Sequence, residues 1–115
     1  MTGDCLFCSI VAGAVPADVV LDEPDLLAFR DIAPQAPLHV LIIPKQHYPA
    51  IGPLAQADPA AVGALMLAAD RLAAQSTEAA EGYRLVTNTG QQAGQTVDHV
   101  HVHLLAGRPM TWPPG

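Results

Sequence analysis

Positive charge is scarce in this chain: Lys and Arg together number five against eleven Asp and Glu, and the formal net charge is -6. Lys45 is the sole lysine and the arginines are scattered, so no basic stripe exists on which a nucleic-acid backbone would lie. Phosphate, if bound, must be held locally by backbone N–H groups and imidazoles. Long apolar runs are missing as well. None approaches the roughly 18 residues of a membrane span, and the N-terminus lacks the basic-then-apolar pattern of an export signal. The expectation is a cytoplasmic protein with neither membrane nor nucleic acid as a partner. Internal repeats and low-complexity tracts are also absent, the prolines and glycines falling mostly between periodic segments. Cysteine is limited to Cys5 and Cys8. In a cytosolic chain a Cys-x2-Cys pair points to zinc or redox chemistry more than to a structural disulfide, yet one pair is half a zinc site. Two buried thiols acting as small hydrophobes are the alternative.

What is present is half apolar and 115 residues long, enough for one core and one domain spanning 1–115. Asp4 reads as the N-cap of a short helix that carries Cys5 and Cys8 on one face and closes near Gly13. Residues 17–22 and 25–30 read as two strands of a hairpin turning at Glu23-Pro24. Residues 38–43 form a third strand, nearly all apolar and therefore central, in which His39 stands out. Asp58-Pro59 opens one long helix, with Val62, Leu65, Met66, Ala69, Leu72 and Ala73 spaced three and four apart. Residues 83–89 make a fourth strand. Strands outnumber helices and are mostly hairpin-linked, so the expected class is α+β, an antiparallel five-stranded sheet with one long and one short helix.

The fifth strand holds the densest chemistry. His99, His101 and His103 alternate with Val100, Val102 and Leu104, the period of a strand with one polar face. Same-face neighbours sit roughly 6.5 Å apart, so no single ion or substrate touches all three equally and their roles must differ. Three readings fit the residues: a His-rich solvent face, a pair of imidazoles holding a catalytic zinc, or nucleophilic catalysis by one imidazole.

The run from Gly94 to Leu104, with His99-Val100-His101-Val102-His103 at its centre, resembles the signature of the histidine-triad (HIT) family. The likeness continues through the Leu6-Phe7 helix, residues 27–32, residues 34–39, Ile43-Pro44-Lys45-Gln46-His47, Asn88 and the Trp112-Pro113-Pro114-Gly115 ending. That ending resembles the Hint-type nucleoside phosphoramidase branch more than the Fhit-type dinucleoside polyphosphate hydrolases. Asp98 departs from the branch, whose members carry an aromatic residue there.

The resemblance implies a homodimer with a continuous ten-stranded sheet, and hydrolysis at the α-phosphorus of a purine nucleotide such as AMP or GMP derivatives. It makes His101 the nucleophile, His103 a phosphate ligand, and groups His39 with them as catalytic. Asn88, Gly94, Thr96 and Val97 would hold the phosphate, and Asp31 the ribose hydroxyls. Leu6, Phe7, Ile10, Phe29 and Ile32 would form the base slot. The extended tail, residues 107–115, would carry Trp112 to the partner's site. Bacterial members with matching Cys-x2-Cys and Lys-x-His segments imply a structural zinc on Cys5, Cys8, His47 and His99. Alternatives left open are dinucleoside polyphosphate hydrolysis and a non-catalytic nucleotide-binding module.

Overall fold

The computed structural model describes residues 5–115. Helix α1 spans Leu6–Val11, strands β1 Val19–Asp22, β2 Leu26–Arg30 and β3 Leu38–Pro44 follow, and helices α2 Ile51–Ala57 and α3 Pro59–Ala74 come next. Strands β4 Tyr83–Val86 and β5 Val102–Ala106 complete it, with single 3-10 turns at Thr77–Ala79 and Gln91–Ala93. The strands form one antiparallel sheet in the order β1-β2-β3-β5-β4, so the nearly all-apolar β3 is its centre. No described helix is long and apolar enough to cross a membrane.

The period-2 pattern divides the sheet into two unlike faces. Leu26, Ala28, Val40, Ile42, Val102 and Leu104 point one way and pack on Leu54 of α2 and Leu65, Ala68 and Ala69 of α3. Ala68 and Ala69 of α3 are fully buried, which lets the helix lie close on the strands. Leu27, Phe29, Leu41 and Ile43 point the other way, where among the described residues the helical cover is α1, through buried Phe7 and partly buried Ile10 and Val11, with Cys5, Ala17 and Val97 partly buried around them. A six-residue helix has too few turns to persist alone, so whatever holds α1 also decides how this second face is closed. The three histidines lie on that face.

Four expectations need correction. Asp4 lies outside the described residues, and the N-cap of α1 is Cys5, whose sulfur accepts the backbone N–H of Cys8 at 3.3 Å. A third helix, α2, adds to the two expected. Pro53 sits in its first turn, where a missing N–H costs nothing, so Gly52-Pro53 does not break it. The histidine strand is shorter than its alternation suggests: the ladder begins only at Val102. Upstream, Pro44 ends β3, and the N–H of Val100 turns instead to the carbonyl of Tyr48 at 2.8 Å, so His99 and His101 stand just outside the ladder. β4 likewise ends at Val86 rather than residue 89. The long helix is as expected, with Asp58 accepting from the N–H of Ala61 as its N-cap.

Candidate functional site

Each histidine on the second face has a different set of partners. His99 is fully buried. Its Nε2 faces the carbonyl oxygen of Pro44 at 2.8 Å, which can only accept, so Nε2 carries the proton and Nδ1 keeps its lone pair. That lone pair is aimed at Cys5 Sγ (3.3 Å), Cys8 Sγ (3.5 Å) and His47 Nδ1 (3.3 Å), and His47 Nδ1 is 3.4 Å from Cys8 Sγ. All four donor atoms lie within 4.8 Å of one another. Zinc bond lengths at tetrahedral angles require roughly 3.3 Å between two nitrogens and about 3.6 Å between nitrogen and sulfur. The cluster meets those edges to within a few tenths of an ångström. Burial, aided by the neighbouring Cys5, pushes the Cys8 thiol up to about 11, and burial first of all keeps His99 neutral. A cation at the centre would reverse the first preference and exploit the second. The donor set therefore fits a zinc ion, and the His99–Pro44 hydrogen bond would be the outer partner that orients His99 as a ligand.

His39, His103 and Asp31 make a second cluster with His/carboxylate ligands within 4.8 Å, but its hydrogen bonds argue for another use. The backbone N–H of Gln35 donates to His39 Nδ1 at 3.0 Å. A neutral imidazole has one lone pair, so His39 Nε2 bears the proton and is occupied in donating to His103 Nδ1 at 2.9 Å. His103 in turn must carry its proton on Nε2. The cluster is a directed chain of hydrogen bonds that leaves one N–H donor at its end, and it has no second lone pair on His39 for a metal. Asp31 Oδ2 stands 3.5 Å from His39 Nε2, while Oδ1 accepts from the N–H of Ala33 at 2.8 Å.

His101 lies between the two clusters. Its Nδ1 is 2.8 Å from the carbonyl oxygen of His99, which assigns the proton to Nδ1 and the lone pair to Nε2. Among the described residues nothing hydrogen-bonds to Nε2. The ring is clamped edge to face by Phe7 at 5.1 Å between centroids and by His103 at 5.0 Å, and Thr87 Oγ1 donates to its backbone carbonyl at 2.9 Å. A fixed imidazole with a free lone pair beside an N–H donor is an arrangement suited to nucleophilic attack on an electrophile whose developing negative charge that donor can hold.

A profile of the HIT domain matches residues 12–110. The chain belongs to the HIT family. An uncharacterized HIT-like protein of Synechococcus elongatus is 47% identical over 115 residues, the whole of both chains. A HIT family hydrolase from Legionella pneumophila superposes with a TM-score of 0.93 at 48% identity, covering 97% of this chain and 100% of that one. A Zn-bound histidine triad family protein from Mycobacterium smegmatis gives 0.80 at 32% identity over 94% of this chain and 78% of that one. In this HIT protein the likeness to named hydrolases supports a hydrolase kind.

The other residues singled out in the sequence differ widely in burial. Phe7 and Phe29 are buried and meet edge to face at 5.4 Å, so they form the floor of the second face, while Ile10 is half-buried beside them. Leu6 and Ile32 are exposed, Ile32 completely. Asn88 and Val97 are half-buried, and Thr96 and Gly94 exposed, Gly94 at φ 89° where a side chain would be strained. Trp112 is 84% exposed, and no hydrogen bond or ring contact joins it to the histidines among the described residues. Its neighbour Thr111 is held through its carbonyl by Arg84 of β4 at 3.1 Å. Sequence reasoning missed the carbonyl of Pro44, the N–H of Gln35 and the side chain of Gln95. The first two are backbone groups, which no residue pattern reveals.

Burial, reinforced by the nearby His101 and His39, lowers the His103 pKa from 6.5 to about 4, and burial lowers that of His39 as well. Between the folded and unfolded values the unfolded chain takes up protons that the folded one refuses, so stability is complete above pH 6.5 and drains away as pH falls towards 4. One such proton gives a slope of at most about 1.4 kcal/mol per pH unit, reduced by whatever solvent reaches the ring. Denaturant titrations at pH 7, 6 and 5 should show the decline, and His103→Gln should flatten it. An equal slope in both proteins would mean the acid sensitivity lies elsewhere.

Proposed function

We propose that this HIT protein hydrolyses a bond at the α-phosphorus of purine nucleotides, in the manner of an adenosine phosphoramidase that releases AMP, through a nucleotidyl-His101 intermediate. One observation carries the reading: the His99 carbonyl holds the His101 proton on Nδ1, leaving the Nε2 lone pair free beside His103. In the first step Nε2 forms a bond to phosphorus as the bond from phosphorus to the leaving amine breaks, and the amine departs with a proton taken from solvent. Water then attacks the same phosphorus and gives up a proton to solvent, the N–P bond breaks, and AMP and the free His101 imidazole are regenerated. Two easier displacements replace one hard one.

The His103 Nε2–H, fixed by the chain from Gln35 through His39, donates to a phosphoryl oxygen and meets the charge that develops there. The N–H groups of Gly94 and Val97, the Thr96 hydroxyl and the Asn88 amide hold the remaining oxygens. Asp31 accepts from the ribose hydroxyls, and its position beside His39 connects ribose recognition to the same chain. Leu6, Ile10 and Ile32 face the base over a floor of Phe7 and Phe29.

Cys5, Cys8, His47 and His99 hold a structural zinc. Four protein donors leave no vacant position for water or substrate, so the ion supplies stability rather than Lewis acidity. The active form is a homodimer whose two sheets join into ten strands, with the exposed Trp112 of one tail turned to the partner's leaving group. Nucleotide, rather than nucleic acid, is the partner that a chain of net charge -6 accommodates through local donors. The direct test is turnover of an adenosine phosphoramidate beside a dinucleoside polyphosphate. Faster release of AMP from the phosphoramidate is expected, and the opposite preference would move the protein to the dinucleoside polyphosphate hydrolases.

A further inference from the structure

The segment between Asn88 and His99 is built with little to hold it. Gly90 and Gly94 both have positive φ, residues 91–94 are exposed, and a single 3-10 turn at Gln91–Ala93 is its regular structure. Yet it has a defined shape, and much of that shape traces to one half-buried side chain. Gln95 Oε1 accepts the N–H of Gly90 at 2.9 Å, while its own backbone N–H returns to the carbonyl of Gly90 at 3.1 Å. Gln95 Nε2 donates to the carbonyls of Pro49 at 2.6 Å and Val97 at 3.1 Å. The side chain thus closes the loop on itself across Gly90 and ties it to the turn that follows His47.

We infer that Gln95 is a positioning residue for phosphate: its amide sets the loop whose N–H groups hold the phosphoryl oxygens, and anchors that loop to the His47–Pro49 turn. This rests on the phosphate-loop part of the proposed function and deepens it. A backbone anion site works only while its N–H groups converge, and a glycine-rich loop released from its tie samples many other shapes at an entropic cost that binding must then meet. No atom of Gln95 need touch the ligand. Because the loop serves the phosphate and not the nucleoside, its loosening has a signature that general destabilisation lacks: AMP affinity falls and adenosine affinity does not.

The experiment is calorimetric titration of the whole protein with AMP and with adenosine at fixed salt, using wild type, Gln95→Ala and Gln95→Met. The methionine keeps most of the volume and removes all three side-chain hydrogen bonds, so it serves if the alanine variant folds poorly. Both variants should bind AMP about tenfold to a hundredfold more weakly, the scale of losing a few net hydrogen bonds. Adenosine binding should stay within twofold. Gln95→Glu, which retains the acceptor for Gly90 but sets an anion against two carbonyls and the phosphate, should lose at least as much for AMP. A wild type that prefers AMP strongly, with the same preference in every variant, overturns the role of Gln95. A wild type that binds AMP no better than adenosine overturns the phosphate reading itself.

Discussion

Replacing His101 by alanine is expected to cut turnover of a nucleoside phosphoramidate by on the order of 10^3-fold or more while leaving AMP affinity nearly unchanged. The size follows from what the ring alone supplies. Its Nε2 is the unengaged imidazole nitrogen of a residue held on three sides, by the His99 carbonyl through Nδ1 and by the edges of Phe7 and His103. No neighbour can take over the attack. Cys5 and Cys8 are turned to His99 and His47, and His103 presents an N–H rather than a lone pair. Binding survives because the loop at Gly90–Val97, Asp31 and the apolar floor are built by other residues. A rate within tenfold of wild type would end the covalent route and leave direct attack by water. His101→Gly opens a space the size of an imidazole between Phe7 and His103, so added imidazole should restore part of the rate. Trapping of labelled nucleotide on wild type, and none on the alanine variant, would give the same answer without kinetics.

The zinc prediction has the largest expected effect on stability. Purified protein never exposed to chelator should contain about one zinc per chain, and Cys5→Ser should lower both the zinc content and the melting temperature, the latter by roughly 10 °C or more. Structural zinc binding is folding free energy, and here it would join three separate parts of the chain: the start of α1, the turn at His47 and the segment before β5. Without it α1 keeps only Phe7 and its half-buried neighbours as anchorage, too little for six residues. The same variant distinguishes structural from catalytic metal. At a temperature where it is still folded, its His101 chemistry should persist, whereas a catalytic ion would take the activity with it. Metal analysis of unchelated protein that finds no zinc, together with an unchanged melting temperature, would leave Cys5 and Cys8 as packed thiols.

An unbroken apolar run was enough to recognise β3 as the central strand, because burial on both faces leaves no polar alternation, and periodicity was enough for α3 from Asp58 onward and the two-faced character of the histidine run, because burial on one side writes itself into residues two or three to four apart. The Cys-x2-Cys pair and the alternating histidines also marked where the chemistry would lie. Resemblance to the HIT family extended this to His47, too far from the cysteines in sequence for any local pattern to link them. What only the tertiary structure decided is the division of labour among identical side chains. His99 differs from His101 and His103 through the groups that receive its ring: the Pro44 carbonyl turns His99 Nδ1 to the cysteines, the carbonyl of His99 itself caps His101, and Gln35 acts on His103 by way of His39. These are mainly backbone groups brought close by the ends of β3 and the loops around it, and backbone is the same whatever residue carries it. For the same reason α2 and the three hydrogen bonds of Gln95 were invisible beforehand. A residue's type states what hydrogen bonds it can make, and the fold decides which of them it makes.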